Sequence, residues 1–408
     1  MLRQHIAADH EYLTKLRRDI HQQPELMYEE VETSARVVKE LESIGVQFRA
    51  GLAGGTGVLG YIPATGDRKA TVALRADMDA LPIHEETGLP YSSQTPGKMH
   101  ACGHDGHTAI LVGVARALSK LQNRDNDVLL VFQPAEEGGA GGRRMCEDGV
   151  LDGSVIGTPA DVIYGLHGWP ENQQGKFFWK VGPMMAATDQ FTVKIHGKGG
   201  HAAAPHSTRD PIVAISQIVT ALQTIASRNT NPLDSIVVTV GALNGGSAFN
   251  VIPESMTLMG TMRTLLPETR VAGKNRFYEI VEGIASSMGC EAEIKWNEGY
   301  PVTANDEEAT KRFIHLAEQK FGSHRVEELH APVMGGEDFS FYGAHVPASF
   351  YFVGLQREGD SNPALVHTPQ FDFNDAVIPD CVEMMCTLAL EPVNLPSDRS
   401  NREPVASR

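Results

Sequence analysis

The sequence predicts an α/β protein whose larger domain holds a mixed, mostly parallel sheet and is interrupted by a smaller α+β domain. Three observations predict this fold. Before residue 170, short apolar runs alternate with amphipathic helical segments, as in sheets covered by helices on both faces. The middle of the chain alternates apolar and polar residues, which is typical of strands with one exposed face. An apolar run near residue 350 returns to the first pattern, so the middle segment is predicted to be inserted.

Helices and buried strands are predicted from periodicity and from apolar runs. Helical periodicity over 11–45 predicts a helix that ends at Gly45. A second amphipathic helix is predicted over 107–121. Buried strands are predicted where apolar runs end in polar clusters, at 71–79, 128–137, 162–167 and 349–355.

The inserted domain is predicted to span 187–298, which leaves 1–186 and 299–408 for the larger domain. Within the insertion, strands are indicated at 191–200, 235–246 and 255–264, and helices at 211–227 and 268–288. The last residues, 391–408, are polar and contain proline, so a frayed tail is predicted.

Composition and motif content exclude several classes of protein. Asp and Glu number 51 against 35 Lys and Arg, and the resulting net charge of −16 repels phosphates, so no nucleic-acid partner is expected. Five cysteines without a C-x-x-C pair predict a reduced, cytoplasmic protein. The N-terminus lacks a secretory pattern and no apolar run reaches roughly 18 residues, so no membrane segment is expected. Zincin, serine-hydrolase and P-loop chemistries lack their H-E-x-x-H, G-x-S-x-G and Walker A motifs.

A glycine pattern at Gly55, Gly57 and Gly60 matches the dinucleotide fingerprint G-x-G-x-x-G. The fingerprint requires a helix directly after the last glycine, whereas 61–63 reads Tyr-Ile-Pro. A glycine-rich turn is therefore predicted. A dinucleotide-dependent oxidoreductase is the alternative, and absence of cofactor binding would dismiss it.

The densest chemical signal is the segment 100–107, His-Ala-Cys-Gly-His-Asp-Gly-His. Cys102 and His104 can bind a divalent transition metal once the thiol is deprotonated. In the alternative, Cys102 is a small buried apolar residue and the histidines cap the helix. His100 and His107 are predicted to support the ligands or cap the helix rather than to bind metal.

A pair of carboxylates, Glu136 and Glu137, follows an apolar run and precedes a glycine-rich segment. Two carboxylates at a strand end suit two tasks, in which one binds a cation and the other moves a proton. The alternative is an exposed acidic pair in a loop.

Asp77 and Asp79 end one apolar run, His167 ends another, and His367 follows a third. Taken singly, each could be a capping Asp or a buried His. Because the carboxyl ends of parallel strands meet at one edge of a sheet, we expect these side chains and the Glu136-Glu137 pair to converge there. A dinuclear metal site is the prediction.

The inserted domain contains three further candidates. His201, in Gly-Lys-Gly-Gly-His, could donate to an oxyanion, and a surface histidine in a glycine-rich loop is the alternative. Asn250 and Arg263 suit a substrate carboxylate. A salt-bridged arginine on a sheet face is the alternative for Arg263.

Nine segments carry a resemblance that covers almost the whole chain in order. They are RADMDALP (75–82), HACGHDGHTA (100–109), QPAEEGGAGG (133–142), GLHGWP (165–170), GKGGHAAAPH (197–206), NVIPE (250–254), GTMRTL (260–265), MGGEDFSFY (334–342) and LVHTPQFDFND (365–375). Together they resemble the N-acyl amino acid amidohydrolase branch of the dinuclear-metal aminoacylases and carboxypeptidases. Hippurate hydrolases and auxin-conjugate hydrolases belong to this branch.

The resemblance implies a zinc-peptidase-like catalytic domain and an inserted lid through which the chain forms a homodimer or a dimer-based oligomer. It also implies two divalent metal ions per subunit, either Zn, Mn, Co or Ni, with Cys102 as the bridge. The implied ligands are Cys102, His104, Glu137, His167 and His367. Asp77 stands where the wider superfamily has a histidine, and Asp79 is implied to orient a ligand.

The implied activity is hydrolysis of the amide bond of an N-acyl or N-aroyl amino acid, a small-molecule substrate. Glu136 is implied as the general base, and His201 as a residue that reaches the active site, from the neighbouring subunit. Asn250 and Arg263 would hold the substrate carboxylate, and Gly335 and Gly336 would line the pocket. The resemblance assigns no role to Glu337 and Asp338.

Two alternatives to this activity remain open at the level of sequence. One is a metallo-carboxypeptidase or dipeptidase on the same fold, which differs only in a free amine on the acyl side. The other is a non-catalytic protein that binds metal or ligand. Glu136 argues against the second alternative, because a protein that only binds has no need of a base.

Overall fold

The computed structural model describes residues 2–394, so the predicted tail from 395 onward lies outside the described residues. The eight α-helices of the described chain are α1 Leu2–His21, α2 Val31–Ser43, α3 His104–Ser119, α4 Gly141–Glu147, α5 Pro211–Thr224, α6 Pro267–Ser287, α7 Glu307–Phe321 and α8 Ile378–Leu390. None of the helices described is both long and apolar enough to cross a membrane.

The described strands follow the same chain order. They are β1 Gln47–Leu52, β2 Gly57–Ile62, β3 Thr71–Asp77, β4 Asp127–Gln133, β5 Val162–Gln173, β6 Phe177–Trp179, β7 Gly182–Met185, β8 Ala187–His196, β9 Gly200–His201, β10 Ile236–Asn244, β11 Val251–Ile252, β12 Ser255–Thr264, β13 Glu291–Glu298, β14 Thr303–Asn305, β15 Val326–Glu328 and β16 Ala348–Gln356.

The described chain divides into two compact units. The first contains residues 2–182, 304–331 and 338–394, and the second contains 183–303 and 332–337. Strands β7 and β14 contain two of the points at which the chain passes from one unit to the other.

The first unit is built on an eight-stranded sheet with the order β1-β2-β4-β3-β5-β16-β6-β15. Its central strands β4, β3, β5 and β16 are parallel neighbours, while β1 and β2 are antiparallel to their neighbours. The predicted mixed, mostly parallel sheet is confirmed. Every residue of β3 and β4 is buried, as expected for strands covered on both faces.

Helices α1, α3 and α8 share one apolar core with this sheet. They cross at Gly113 of α3, where an added Cβ would lie 2.7 Å from Leu13 of α1 and 2.8 Å from Val382 of α8. The three helices can approach this closely only because residue 113 has no side chain. This packing fixes the position of α3, whose first residue is His104.

The single helix predicted over 11–45 is wrong, because the structure has two helices, α1 and α2, with a break between them. Pro24 lies in the break and lacks the N–H that a continuing helix would need. Tyr28 adopts a positive φ of 64°, which also interrupts helical geometry. On either side of this break, the apolar periodicity correctly predicted helical structure.

The Gly55 to Gly60 pattern lies in and after the turn that joins the antiparallel strands β1 and β2. Gly57 and Gly60 are themselves residues of β2, and β3 rather than a helix follows. The predicted glycine-rich turn is confirmed, and the strand-to-helix context of a dinucleotide site is not present at this position.

The second unit contains a four-stranded antiparallel sheet with the order β10-β12-β8-β13. Buried and partly exposed residues alternate along β8, as the sequence pattern predicts. Its buried side chains pack against α5 and α6 in a core of their own. A separate two-stranded ladder pairs β9 with β11.

Candidate metal centre

The candidate site lies at the carboxyl ends of the central parallel strands of the first unit. Asp79 follows β3, the Glu136-Glu137 pair follows β4, and His167 lies within β5. His367 lies in the loop after β16 and has a positive φ of 64°. Its N–H donates to Ala101 O at 2.7 Å, which ties this loop to the segment that carries Cys102.

Five side chains form two groups that share Cys102. In each group the potential ligand atoms lie within 4.8 Å of one another; one group is Cys102, His104 and His167, and the other is Cys102, Glu137 and His367. Cys102 Sγ lies 3.3 Å from the Nε2 atoms of both His167 and His367. A thiolate between two clusters of nitrogen and oxygen ligands is the arrangement that a bridging ligand requires.

Hydrogen bonds at Nδ1 set the tautomers of two histidines. His104 Nδ1 lies 2.9 Å from Asp79 O, and His167 Nδ1 lies 2.8 Å from Gly168 O, so each Nδ1 is the protonated donor. In the neutral imidazole, the form that binds a metal, each Nε2 therefore presents its lone pair away from these partners. Among the described residues, buried His104 Nε2 has no hydrogen-bond partner. Thiolate, imidazole and carboxylate together suit Zn, Mn, Co and Ni, so these residues fit divalent cations.

Negative charge is in excess at the site. Burial lowers the pKa of His104, but Asp77, Asp79 and Glu137 raise it to about 10. Burial and the nearby carboxylates of Glu137 and Glu136 raise the pKa of the Cys102 thiol. A divalent cation bound here would supply the positive charge that these groups lack.

Asp79 positions both the histidine and the carboxylate pair. It is buried, and its carboxylate accepts from Glu136 N at 3.0 Å and from Glu137 N at 2.8 Å. The same carboxylate lies 3.2 Å from His104 Nδ1. Glu136 is only 6% exposed, so the structure rules out an exposed acidic loop at this position.

His107 is oriented by Asp77 and has no nitrogen left for a metal. Its Nδ1 donates to Asp77 Oδ1 at 2.7 Å, and its Nε2 accepts from Gly168 N at 2.9 Å. His107 therefore supports the loop of His167, as the sequence predicts for a group that is not a ligand. Burial lowers the pKa of His100, the other histidine of the motif, to about 4.

The second unit contains the remaining predicted site residues, and four of them form two pairs of adjacent residues. His201 is exposed on β9, and Asn250 lies beside it because Ala202 N donates to Asn250 O at 3.0 Å. Gly336 lies beside Arg263, whose Nη1 would be 3.4 Å from a Cβ added to that glycine. Gly335 is exposed.

Arg263 is half-buried on β12, and its guanidinium forms no hydrogen bond or ion pair with any residue between 2 and 394. The nearby Asp189 is instead bound by Arg270 through contacts of 2.9 and 2.6 Å. Burial lowers the pKa of Arg263. The salt-bridged arginine considered as an alternative is therefore not what the structure shows.

Sequence reasoning missed two buried groups that hold the Glu136 segment. Arg75 is fully buried within β3 and binds Gln133, at the end of β4, at 2.8 Å. Glu30, also fully buried, accepts from Ala135 N at 2.8 Å. Burial and the charge of Asp79 raise the pKa of Glu30 to about 7. An arginine inside an otherwise apolar strand was the available signal for Arg75.

His21 contacts Asp105 in the first turn of α3, and this contact predicts that the protein loses stability at alkaline pH. His21 Nδ1 lies 2.8 Å from Asp105 and its Nε2 lies 3.3 Å from Glu85. Burial lowers the pKa of His21, but the two carboxylates raise it to about 9. This contribution is complete below the ordinary pKa of 6.5 and is lost as the pH rises to about 9.

We therefore expect the free energy of unfolding of the wild type to fall as the pH rises from 6.5 to 9. This fall should be larger than that of the His21→Gln variant by up to about 3 kcal/mol. Urea denaturation at a series of pH values measures the difference. Parallel pH dependences in the two proteins would contradict this role of His21.

Comparison with known proteins agrees with the motif resemblance. The model of peptidase family M20/M25/M40 matches residues 73–391. N-acetyl-L-cysteine deacetylase of Bacillus subtilis is 45% identical over 367 residues, covering 90% of this chain and 84% of that protein. Hippurate hydrolase of Campylobacter jejuni is 39% identical over 377 residues, covering 92% of this chain and 95% of that protein.

A solved structure gives the same result for the fold. The Bacillus subtilis YXEP protein, a dinuclear metal binding peptidase from the M20 family, is 34% identical and superimposes with a TM-score of 0.79. The match covers 95% of this chain and 100% of that one. These comparisons confirm the predicted fold and the predicted family resemblance. The chain belongs to peptidase family M20/M25/M40.

Proposed function

We propose that this protein is a metal-dependent amidohydrolase that cleaves the amide bond between an acyl or aroyl group and a free amino acid. The observation that carries the proposal is the pair of ligand groups that share Cys102, beside the buried carboxylate of Glu136. The names of the deacetylase and the hippurate hydrolase to which the chain is similar support the same bond type.

Two divalent metal ions would be held by the two groups described above, with Cys102 common to both. A dinuclear relative of the same fold supports this number, and Zn, Mn, Co and Ni all suit the ligand set. When bound, such ions supply Lewis acidity, which polarises a carbonyl and lowers the pKa of water.

Glu136 acts as the general base in this proposal. It removes a proton from the attacking water as the new C–O bond forms, and it delivers that proton to the amine nitrogen as the C–N bond breaks. Its main chain is held by Asp79, and Asp79 also fixes the tautomer of His104. Asp79 thus acts by positioning and has no contact with substrate in this scheme.

The second unit would supply substrate recognition. The half-buried Arg263 has an unused guanidinium that suits a carboxylate, and Asn250 would share that role. Gly336 beside Arg263, together with Gly335, would leave room for the amino acid. The chain would form a homodimer through residues 187–298, and His201 of one subunit would donate to the developing oxyanion in the active site of the other. The enzyme would act in the cytoplasm.

The test is release of the free amino acid from hippurate and from a panel of N-acetyl amino acids, with dipeptides included. Release should stop after chelation and return on addition of Mn, Zn, Co or Ni. Cleavage restricted to dipeptides would replace the proposal with a dipeptidase or carboxypeptidase. A folded, metal-loaded protein that releases no amino acid from any substrate in the panel would contradict the proposal.

A further inference from the structure

Asp338 has no role in the scheme above, yet its carboxylate is fully buried and held by several donors. It accepts from Arg75 Nη2 at 2.9 Å, from Gln133 Nε2 at 2.8 and 2.9 Å, and from Gly142 N at 2.8 Å. Charge-assisted and multiple bonds of this kind hold a carboxylate in one orientation.

The main chain of the same residue reaches the proposed base. Asp338 N donates to Glu136 Oε1 at 3.4 Å. The main chain here also packs directly against the start of α4, since a Cβ added to Gly142 would lie 2.7 Å from Asp338 O. The position of the donor N–H is therefore set by the contacts of the Asp338 side chain and by this close packing.

Arg75 offsets the negative charge of Asp338 next to the base. Its guanidinium lies between two buried carboxylates, 2.9 Å from Asp338 Oδ1 and 2.6 Å from Asp77 Oδ2. Without this cation, a second carboxylate within 4.8 Å of a Glu136 oxygen would repel the ionised base. The network also reaches Tyr342, whose hydroxyl donates to Gln133 Oε1 at 3.0 Å.

We propose that Asp338 is a positioning residue for Glu136. Its carboxylate, fixed by three donor residues, holds its own N–H against Glu136 Oε1 and so orients the base toward the attacking water. This inference rests on the proposed function, in which Glu136 moves the proton. Misplacement of a reacting group by about 1 Å can cost roughly 100-fold in rate, so an effect of about 10- to 100-fold on kcat is expected.

The first variant is Asp338→Asn, which keeps the volume but places an NH₂ group among the donors of Arg75, Gln133 and Gly142. We expect kcat to fall about 10- to 100-fold, with KM and bound metal unchanged. The matched control is Asp127→Asn. Asp127 is also buried and accepts from Tyr61, Ala64 and Thr158, but lies at the opposite end of β4, so it should lower stability and leave kcat unchanged.

The decisive experiment combines Asp338→Asn with Glu136→Gln in a double-mutant cycle. If Asp338 acts through Glu136, its substitution causes no further loss of kcat once the base is gone. An equal loss in both backgrounds, or no loss in the single variant, would overturn the inference while leaving the proposed function intact. Full activity of Glu136→Gln alone would instead overturn the proposed base, and the inference with it.

A milder variant keeps the test usable if Asp338→Asn does not fold. Tyr342→Phe removes the hydrogen bond from the Tyr342 hydroxyl to Gln133 Oε1 and leaves the bonds of Asp338 itself in place. It should lower kcat by a smaller factor than Asp338→Asn, again only when Glu136 is present. The same loss of kcat in the Glu136→Gln background would overturn the inference.

Discussion

Glu136→Gln is expected to lower kcat by about 10²- to 10⁴-fold while the bound metal stays unchanged. Gln has nearly the same shape as Glu and can still accept from Asp338 N, but it cannot take up a proton. The two ligand groups that share Cys102 do not include Glu136. Steady-state kinetics on the best substrate, with elemental analysis of the same preparation, measure both quantities.

The adjacent carboxylate provides the matched control. Glu137 lies 3.0 Å from His367 Nε2 and belongs to a ligand group, so Glu137→Gln should lower the bound metal as well as kcat. Substitution of Glu136 should therefore lower kcat alone, whereas substitution of Glu137 should lower both kcat and bound metal. Near-normal turnover by metal-loaded Glu136→Gln would remove Glu136 from the role of base.

Cys102→Ala is expected to remove metal from both groups, because its Sγ is the only atom that the two groups share. His167→Ala and His367→Ala should each affect one group and leave about half of the metal bound. Bound metal per chain, measured by elemental analysis after gel filtration, should thus fall to near zero in the first variant only. Activity should be lost in all three.

Cys146→Ala is the matched control for the thiol. Cys146 is partly buried in α4 and belongs to none of the described groups of potential ligands, so bound metal and activity should stay at the wild-type level. If Cys102→Ala keeps as much metal as the Cys146 variant, the shared-ligand arrangement is wrong.

Much of the fold could be predicted because its signals are local. Apolar runs located β3, β4, β5 and β16, and the rule that parallel strands share a carboxyl edge placed their polar ends together. The segment 100–107 stood out by composition alone. The break after α1 was missed because apolar periodicity continues across it, although Pro24 was a visible signal.

The supporting network could not be predicted, because it depends on side chains far apart in the sequence. Asp338 meets Arg75 across 263 positions and Gln133 across 205. No spacing rule connects such residues, and each alone has an ordinary explanation as a cap or a surface charge. The roles of His201, Asn250 and Arg263 stay predictions for the same reason, since they depend on substrate and on a partner subunit.

Stepwise return of metal to the chelated protein tests whether hydrolysis of the amide depends on two bound ions. Bound metal per chain and release of amino acid from the best N-acyl substrate are followed in the same samples. We predict no release without metal, and activity that rises with occupancy up to about two ions per chain. Undiminished release from protein that holds no metal would contradict a metal-dependent reaction.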